Sequence, residues 1–304
     1  MKPNIVVICG PTGIGKTSVA IETASVFGGE IINADSMQIY KYMNIGTAKP
    51  TSQEQTRVPH HLIDILEPDE FFDAAKFAKM AYTKIMELRK RNILPFVVGG
   101  TGFYIKALVH GLFQAGSADH NARARLKEEA AAKGADVLYK RLRQYDPDAA
   151  EKIHPNDTYR IIRAIEIYEK TGKTISEHRH EHRFSDARFR ALKIGLDTGR
   201  DILYDRINRR VDAMIAEGFV DEVRTLLDRG YSEDLKAMQS IGYRHITEFI
   251  RGRLSYDEAL RILKRDTRRY AKRQLSWFRS DSEVVWKEAD QLRDICDLVR
   301  GHLH

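Results

Sequence analysis

The run Gly10-Pro11-Thr12-Gly13-Ile14-Gly15-Lys16-Thr17 has the residue types and spacing of a phosphate-binding loop. Glycines let backbone N–H groups converge on phosphate oxygens, and a helix starting behind the loop adds partial positive charge. Lys16 supplies a point charge, and the Thr17 hydroxyl is of the kind that holds Mg²⁺ beside phosphates. Such a loop reads a diphosphate or triphosphate and is silent on what carries it. Nucleotide binding, with ATP in a kinase or ATPase, is the default, and Asp35 would then be the acid that supports the metal.

The residues around Asp35 suit a second chemistry. Asp35-Ser36-Met37-Gln38 combines a carboxylate, a hydroxyl and an amide. The carboxylate can act as a general base. Gln38 can read adenine through the amino group and the ring nitrogen together. Asp35-Ser36 would equally serve to cap a following turn. A further glycine cluster, "VVGGTGFY" over 97–104, carries Thr101.

These residues need a scaffold that brings them to one edge. "NIVVIC" (4–9) is an apolar run ending at the phosphate loop, and a helix is predicted over 15–27. "GGEIINAD" ends a second strand at Asp35, "HHLIDIL" (60–66) reads as a third and "LPFVVGG" (94–100) as a fourth. Between them, Phe77, Met80, Ala81, Ile85 and Leu88 recur at helical spacing within 73–91. "ALKIGLD" (191–197) and "SEVVWK" (282–287) supply further strands. Short apolar strands alternating with helices predict a parallel sheet covered on both faces, with its loops at the carboxyl edge where ligands bind. The expected fold is α/β: a P-loop NTPase-like core over 1–113 and 195–304, interrupted by an all-helical domain over 114–194.

The chain has 304 residues, a formal net charge of +7 and a pI of about 9.2. No apolar run approaches the length of a membrane span, and the first residues lack the pattern of a secretory signal. A cytoplasmic enzyme, with nothing demanding more than a monomer, is expected. Cys9 and Cys296 are too far apart in sequence to suggest a metal pair and read as reduced, buried thiols. The positive charge is concentrated. Over 261–279 eight Arg or Lys residues face one acid, Asp266, and Arg261, Arg265, Arg268 and Lys272 recur on one helical face. That face reads as a phosphate-contacting surface, and Tyr270, Trp277 and Phe278 as core. His178, His180 and His182 alternate in a way that a helix would splay.

Taken together, the motifs resemble one family. "GPTGIGKT", "NADSMQIY", "IGTAKPT", "VPHHLIDI" and "VGGTGFYIKAL" occur in the order found in tRNA dimethylallyltransferases, also called tRNA isopentenyltransferases. The likeness continues through "NDTYRIIRAIEIYEKTGKTISE", "RINRRVDAMIAEGFVDEV", "QSIGYRH" and "TRRYAKRQLSWFR", nearly to the end of the chain. It implies transfer of a dimethylallyl group from dimethylallyl diphosphate to N6 of adenosine 37, beside the tRNA anticodon. Gly10 to Thr17 would then bind diphosphate with Mg²⁺ at Thr17, and ATP would not be consumed. The resemblance adds Arg210 to the diphosphate site, with Arg206 one turn earlier as the alternative. Asp35 would be the base and Thr101 would bond N6 or the leaving oxygen. Contacts to tRNA would come from Asp35, Ser36, Met37, Gln38 and Thr101, from Arg123, Tyr159, Arg160 and Arg163, and from Gln239, Gly242, Tyr243 and Arg244.

Overall fold

The computed structural model describes residues 2–112, 119–182 and 187–304, except the side chains of His120, Ala135 and His182. It falls into two compact units. One holds the chain up to Val109 and again from Arg188, and the other is His110–Ala187.

In order, the first unit opens with β1 (Asn4–Cys9), α1 (Lys16–Phe27), β2 (Glu30–Asn33), α2 (Ser52–Arg57) and β3 (His60–His61). It continues with α3 (Ala74–Lys90), β4 (Pro95–Gly99) and α4 (Gly102–His110). The second unit holds α5 (His120–Lys133), α6 (Ala135–Tyr145), α7 (Pro147–Lys152), α8 (Thr158–Thr171) and α9 (Ile175–His182). The chain returns with β5 (Arg190–Leu196), α10 (Arg200–Ala216), α11 (Phe219–Asp228), α12 (Tyr243–Ile250), α13 (Tyr256–Arg279), β6 (Val284–Lys287) and α14 (Leu292–Leu303).

The strands form one sheet in the order β3-β2-β4-β1-β5-β6, and every neighbouring pair is parallel. All carboxyl ends therefore lie along one edge, and Cys9, Asn33 and Gly99 deliver the phosphate loop, Asp35 and Thr101 there. The central strands are apolar because both faces are covered. Ile5 to Ile8 are fully buried, and Val6, Ile8, Ile14, Ile194, Leu203, Ile207, Ala271 and Val299 share one core. Along α3 the buried face is Phe77, Ala81, Ile85 and Leu88, with Asp73 capping the first turn by accepting from Ala75 and Lys76 N–H. Met80 belongs to the expected stripe by spacing, but it lies 39% exposed at that stripe's margin.

Two boundaries differ from expectation. The third strand covers two residues rather than 60–66, because Leu62 (φ 62°) and Asp64 (φ 54°) turn the chain out of the sheet. The core resumes at Arg188 rather than 195, since β5 pairs with β1 from Arg190 onward. Its first three residues, Arg190, Ala191 and Leu192, are exposed or half-buried, and full burial begins only at Lys193. The other expected boundary, between 113 and 114, lies outside the described residues.

The second unit has its own core of Leu126, Leu138, Leu142, Ala149, Ile161, Ile165 and neighbours, and its described residues hold helices and no strand.

Candidate active site

The phosphate loop has the geometry its glycines imply. Gly10 and Gly15 adopt φ of 143° and 100°. A side chain at Gly10 would meet the Leu196 carbonyl oxygen at 2.8 Å. Helix α1 starts from Gly15 without a side-chain cap, so its first N–H groups stay directed at the loop. Lys16 Nζ donates to the Pro11 carbonyl at 2.8 Å. Burial pushes the Lys16 ammonium down to about 8, against the pull of Asp35. One amide is already committed, because Thr12 N–H donates to Gln274 Oε1 at 2.9 Å. The loop amides open to phosphate therefore begin after Thr12.

A cavity of about 750 Å³ opens on this loop, lined by Lys16, Thr17, Asp35, Gln38, Lys49 and Arg210 among others. A smaller one of about 250 Å³, walled by Ile207, Val211, Met214, Phe219 and Leu263, meets it at Asp35, Thr12 and Arg210. Arg210 is packed into this junction, where burial lowers its guanidinium from the ordinary value against the opposing pull of Asp35. Arg206 is exposed and lines neither cavity, so the geometry separates the two candidate arginines.

Asp35 takes the turn-capping role the sequence offered and also lines the cavity. Its Oδ1 accepts from Met37 N–H at 2.8 Å and Gln38 N–H at 3.4 Å, closing a turn. Its Oδ2, which no described residue hydrogen-bonds, is left for the cavity. Thr101 does not line the cavity. Its hydroxyl accepts from Ser36 N–H at 3.1 Å and lies in hydrogen-bonding reach of Tyr270. It thus ties β4's loop to the residue after Asp35.

The expected two-point reading of adenine by Gln38 does not fit. Gln38 Nε2 donates to the Thr47 and Ala48 carbonyls, each at 3.1 Å, which uses both amide hydrogens. Only Oε1 remains, an acceptor. Two carbonyls facing the same end of the amide fix its orientation.

Helix α13 contributes two residues that sequence reasoning missed. Tyr270, expected in the core, lines both cavities, and burial raises its hydroxyl far above the ordinary range. Gln274, one turn on, bridges the Thr12 N–H to the Gly100 carbonyl (2.9 Å), joining the two glycine loops. The available signal was polar residues at i, i+4 on the buried face of an amphipathic helix. Trp277 is 43% exposed, edge-on to Phe103, while Phe278 is buried as expected.

The basic face of α13 is largely paired. Arg261 bonds Glu258, Arg265 bonds Asp266, and Arg268 donates to Asn208. Lys272 is exposed. The segment's single acid was misleading, because partners such as Asp212 and Asp197 come from other elements. Exposed pairs of this kind are weak and exchangeable for phosphate.

In "QSIGYRH", Gly242 lines the smaller cavity and Arg244 donates to Asp266 at 2.7 Å. The exposed Gln239 donates to the Glu233 carbonyl. Tyr243 is fully buried with its hydroxyl on Glu222 at 2.6 Å, so it supports the cavity wall. Within the second unit, Arg123 and Arg163 both turn onto buried Glu166, each at 2.7 Å, while Tyr159 is 71% exposed and Arg160 pairs with Asp157 at the surface. Burial alone would raise Glu166, but Arg123, the Asp119 N–H and Arg163 hold its carboxyl below the usual range.

His60 lines the larger cavity and His61 faces Glu30 at 2.6 Å. His178 lies 3.0 Å from the Thr171 hydroxyl, and the His182 side chain is outside the described residues. Among described residues no group of three His, Cys, Asp or Glu could hold a metal, and no helix is long and apolar enough to cross a membrane. Cys9 and Cys296 are both buried and unbonded.

A model of the family described as IPP transferase matches residues 38–281. The chain is 54% identical to a tRNA dimethylallyltransferase of Desulfosudis oleivorans over 303 residues, covering 99% of this chain and 96% of that protein. It is 50% identical to the Geobacter sulfurreducens tRNA dimethylallyltransferase, covering 94% and 92%. Among solved structures, the full-length tRNA isopentenylpyrophosphate transferase of Bacillus halodurans superposes with a TM-score of 0.75 at 41% identity, covering 100% of this chain and 97% of that one. A eukaryotic dimethylallyltransferase acting on tRNA gives 0.81 at 30% identity, covering 94% and 74%. With a family match over most of its length and relatives near half identity end to end, this chain belongs to the IPP transferase family.

Proposed function

We propose that this chain is a tRNA dimethylallyltransferase that moves a dimethylallyl group from dimethylallyl diphosphate to N6 of adenosine 37. The observation that carries the reading is the juxtaposition at one cavity of a phosphate loop, two cations and a carboxylate with an open oxygen. A phosphate loop alone would suit many reactions. Asp35, which lines the same cavity as Lys16 and Arg210 and has one carboxylate oxygen outside its turn, suits one in which a diphosphate leaves and a proton must be taken up.

An exocyclic adenine amine is a weak nucleophile, because its lone pair is delocalised into the ring. The allylic carbon–oxygen bond must therefore break with strong stabilisation of the leaving diphosphate. Lys16, Arg210 and the loop amides beyond Thr12 surround where that charge develops. The Thr17 hydroxyl lines the cavity and fits as one oxygen ligand of Mg²⁺, the phosphates supplying others. When bound, the ion would offset charge on the leaving group. The N6 electron pair forms the new bond to carbon, the carbon–oxygen pair departs with diphosphate, and one N6 proton passes to Asp35. Gln38 Oε1 accepts the other N6 hydrogen, so the amine lies in plane with both acceptors and the carbon approaches its face. The target base leaves its loop stack to reach the site, at a cost of a few kcal/mol. Tyr159 and Arg160 are candidates to hold the RNA, and the enzyme works as a cytoplasmic monomer.

Asp35→Asn tests the assignment. It keeps the turn-closing oxygen and removes the base. Transfer should fall by at least about a hundredfold while affinity for tRNA survives. Equal loss of affinity and transfer would make Asp35 structural.

A further inference from the structure

Helix α11 sends one carboxylate into the loop that orients Gln38. Glu222 Oε2 accepts from Asn44 and Ile45 N–H, each at 2.8 Å, and Oε1 accepts from Gly46 N–H at 3.1 Å and from the Tyr243 hydroxyl at 2.6 Å. Three successive amides so gathered leave the loop little freedom. The turn closes on itself through Ala48 N–H to the Ile45 carbonyl (2.9 Å) and Lys49 N–H to the Asn44 carbonyl (3.0 Å). That closure aims the Thr47 and Ala48 carbonyls at Gln38 Nε2. Gly46 packs too closely on α11 for any side chain, which would meet the Phe219 ring at 2.2 Å. Glu222 touches neither cavity, yet the chain of bonds from it ends on an amide in the cavity.

We propose that Glu222 is a positioning residue that holds Gln38 as a pure acceptor and so selects a 6-amino purine over a 6-oxo purine. The inference rests on the function proposed above. An adenine offers an N6 hydrogen to Gln38 Oε1. A hypoxanthine offers an oxygen, and acceptor meets acceptor. If the loop is released, the Gln38 amide can turn over and present its NH₂ to that oxygen. Loss of Glu222 should therefore do more than weaken binding. It should improve binding of the wrong base.

The test measures Kd for two anticodon stem-loops, with adenosine or inosine at the target position, alongside transfer to the adenosine form. In the unaltered protein the amides of 44–46 should exchange slowly with solvent despite lying in a loop. Glu222→Gln should lower the inosine-to-adenosine Kd ratio about tenfold, with the inosine loop binding more tightly than before. Gln38→Met should lower the ratio similarly, and the double variant should go no further. Glu222→Asp, which keeps the charge with a shorter reach, should fall between. Parallel weakening of both loops, an unchanged ratio, or additive effects with Gln38→Met would overturn the role. So would fast exchange at 44–46 in the unaltered protein, a result that needs no variant to fold. Absence of transfer by the unaltered protein is a different failure. It removes the proposed function and this inference with it, whereas transfer with an insensitive ratio removes the inference alone.

Discussion

Replacing Lys16 with methionine should abolish use of the diphosphate donor and at the same time make the free protein more stable. The ammonium is packed inside the phosphate loop, and burial lowers it from its usual 10.5 to about 8. At about 1.4 kcal/mol per tenfold, that displacement corresponds to about 3 kcal/mol of cost at pH 7. Methionine has a similar stem and no charge. It forgoes the bond to the Pro11 carbonyl, so the net gain should be nearer 2 kcal/mol. For a unit of this size that is a rise in melting temperature of about 4–8 °C. The sign with pH follows from linkage. The folded state binds the Lys16 proton less tightly than the unfolded chain, so this contribution raises stability as pH climbs from about 8 towards 10.5. Activity runs the other way. The lysine is about 90% charged at pH 7 and about 10% at pH 9, so kcat/KM for the donor should fall about tenfold between them. Tyr270 is raised well beyond the window. The assay pairs thermal melts of both proteins with donor kcat/KM from pH 6.5 to 10. A lower melting temperature for Lys16→Met, together with a flat profile in the unaltered enzyme, would refute the reasoning.

Gln274→Ala should raise KM for the donor about tenfold with little change in tRNA affinity, because it frees Thr12 and Gly100 and touches no RNA candidate; steady-state kinetics with each substrate varied checks this. Glu166→Gln should destabilise the second unit by about 3–5 kcal/mol, since Arg123 and Arg163 lose a buried partner. In the unaltered protein that carboxylate's contribution should be intact above its ordinary 4.5 and lost as pH falls through its lowered folded value, read by pH-dependent unfolding. Tyr159→Ala should weaken tRNA binding by about 1–3 kcal/mol if its exposed ring stacks on a base, with melting temperature and donor KM unchanged.

What could be read from the chain divides by how local its cause is. The phosphate loop and Asp35 were legible because each follows a buried strand and parallel pairing puts strand ends on one edge; the same logic brought Thr101 to that edge but did not reveal that its hydroxyl serves Ser36 N–H rather than the cavity. The third strand was overread because apolar alternation cannot reveal the left-handed Leu62 and Asp64. Glu222 and Gln274 were invisible for another reason. They act on residues 176–178 and 262 positions away, and nothing near them in sequence marks the contact. The same limit misjudged Gln38, whose amide is claimed by two backbone carbonyls that only the folded loop supplies. Charge counting failed similarly. The basic face of α13 is neutralised in part from other elements, and Arg123 and Arg163 meet on Glu166 from different helices.

The most direct measurement combines purified protein, Mg²⁺, unmodified tRNA and labelled dimethylallyl diphosphate, with every nucleotide removed. Label on the adenosine beside the anticodon, with one diphosphate released per transfer, is the predicted result. Transfer that requires ATP, or ADP formed from added ATP with no label on the RNA, would contradict it and return the phosphate loop to a nucleotide.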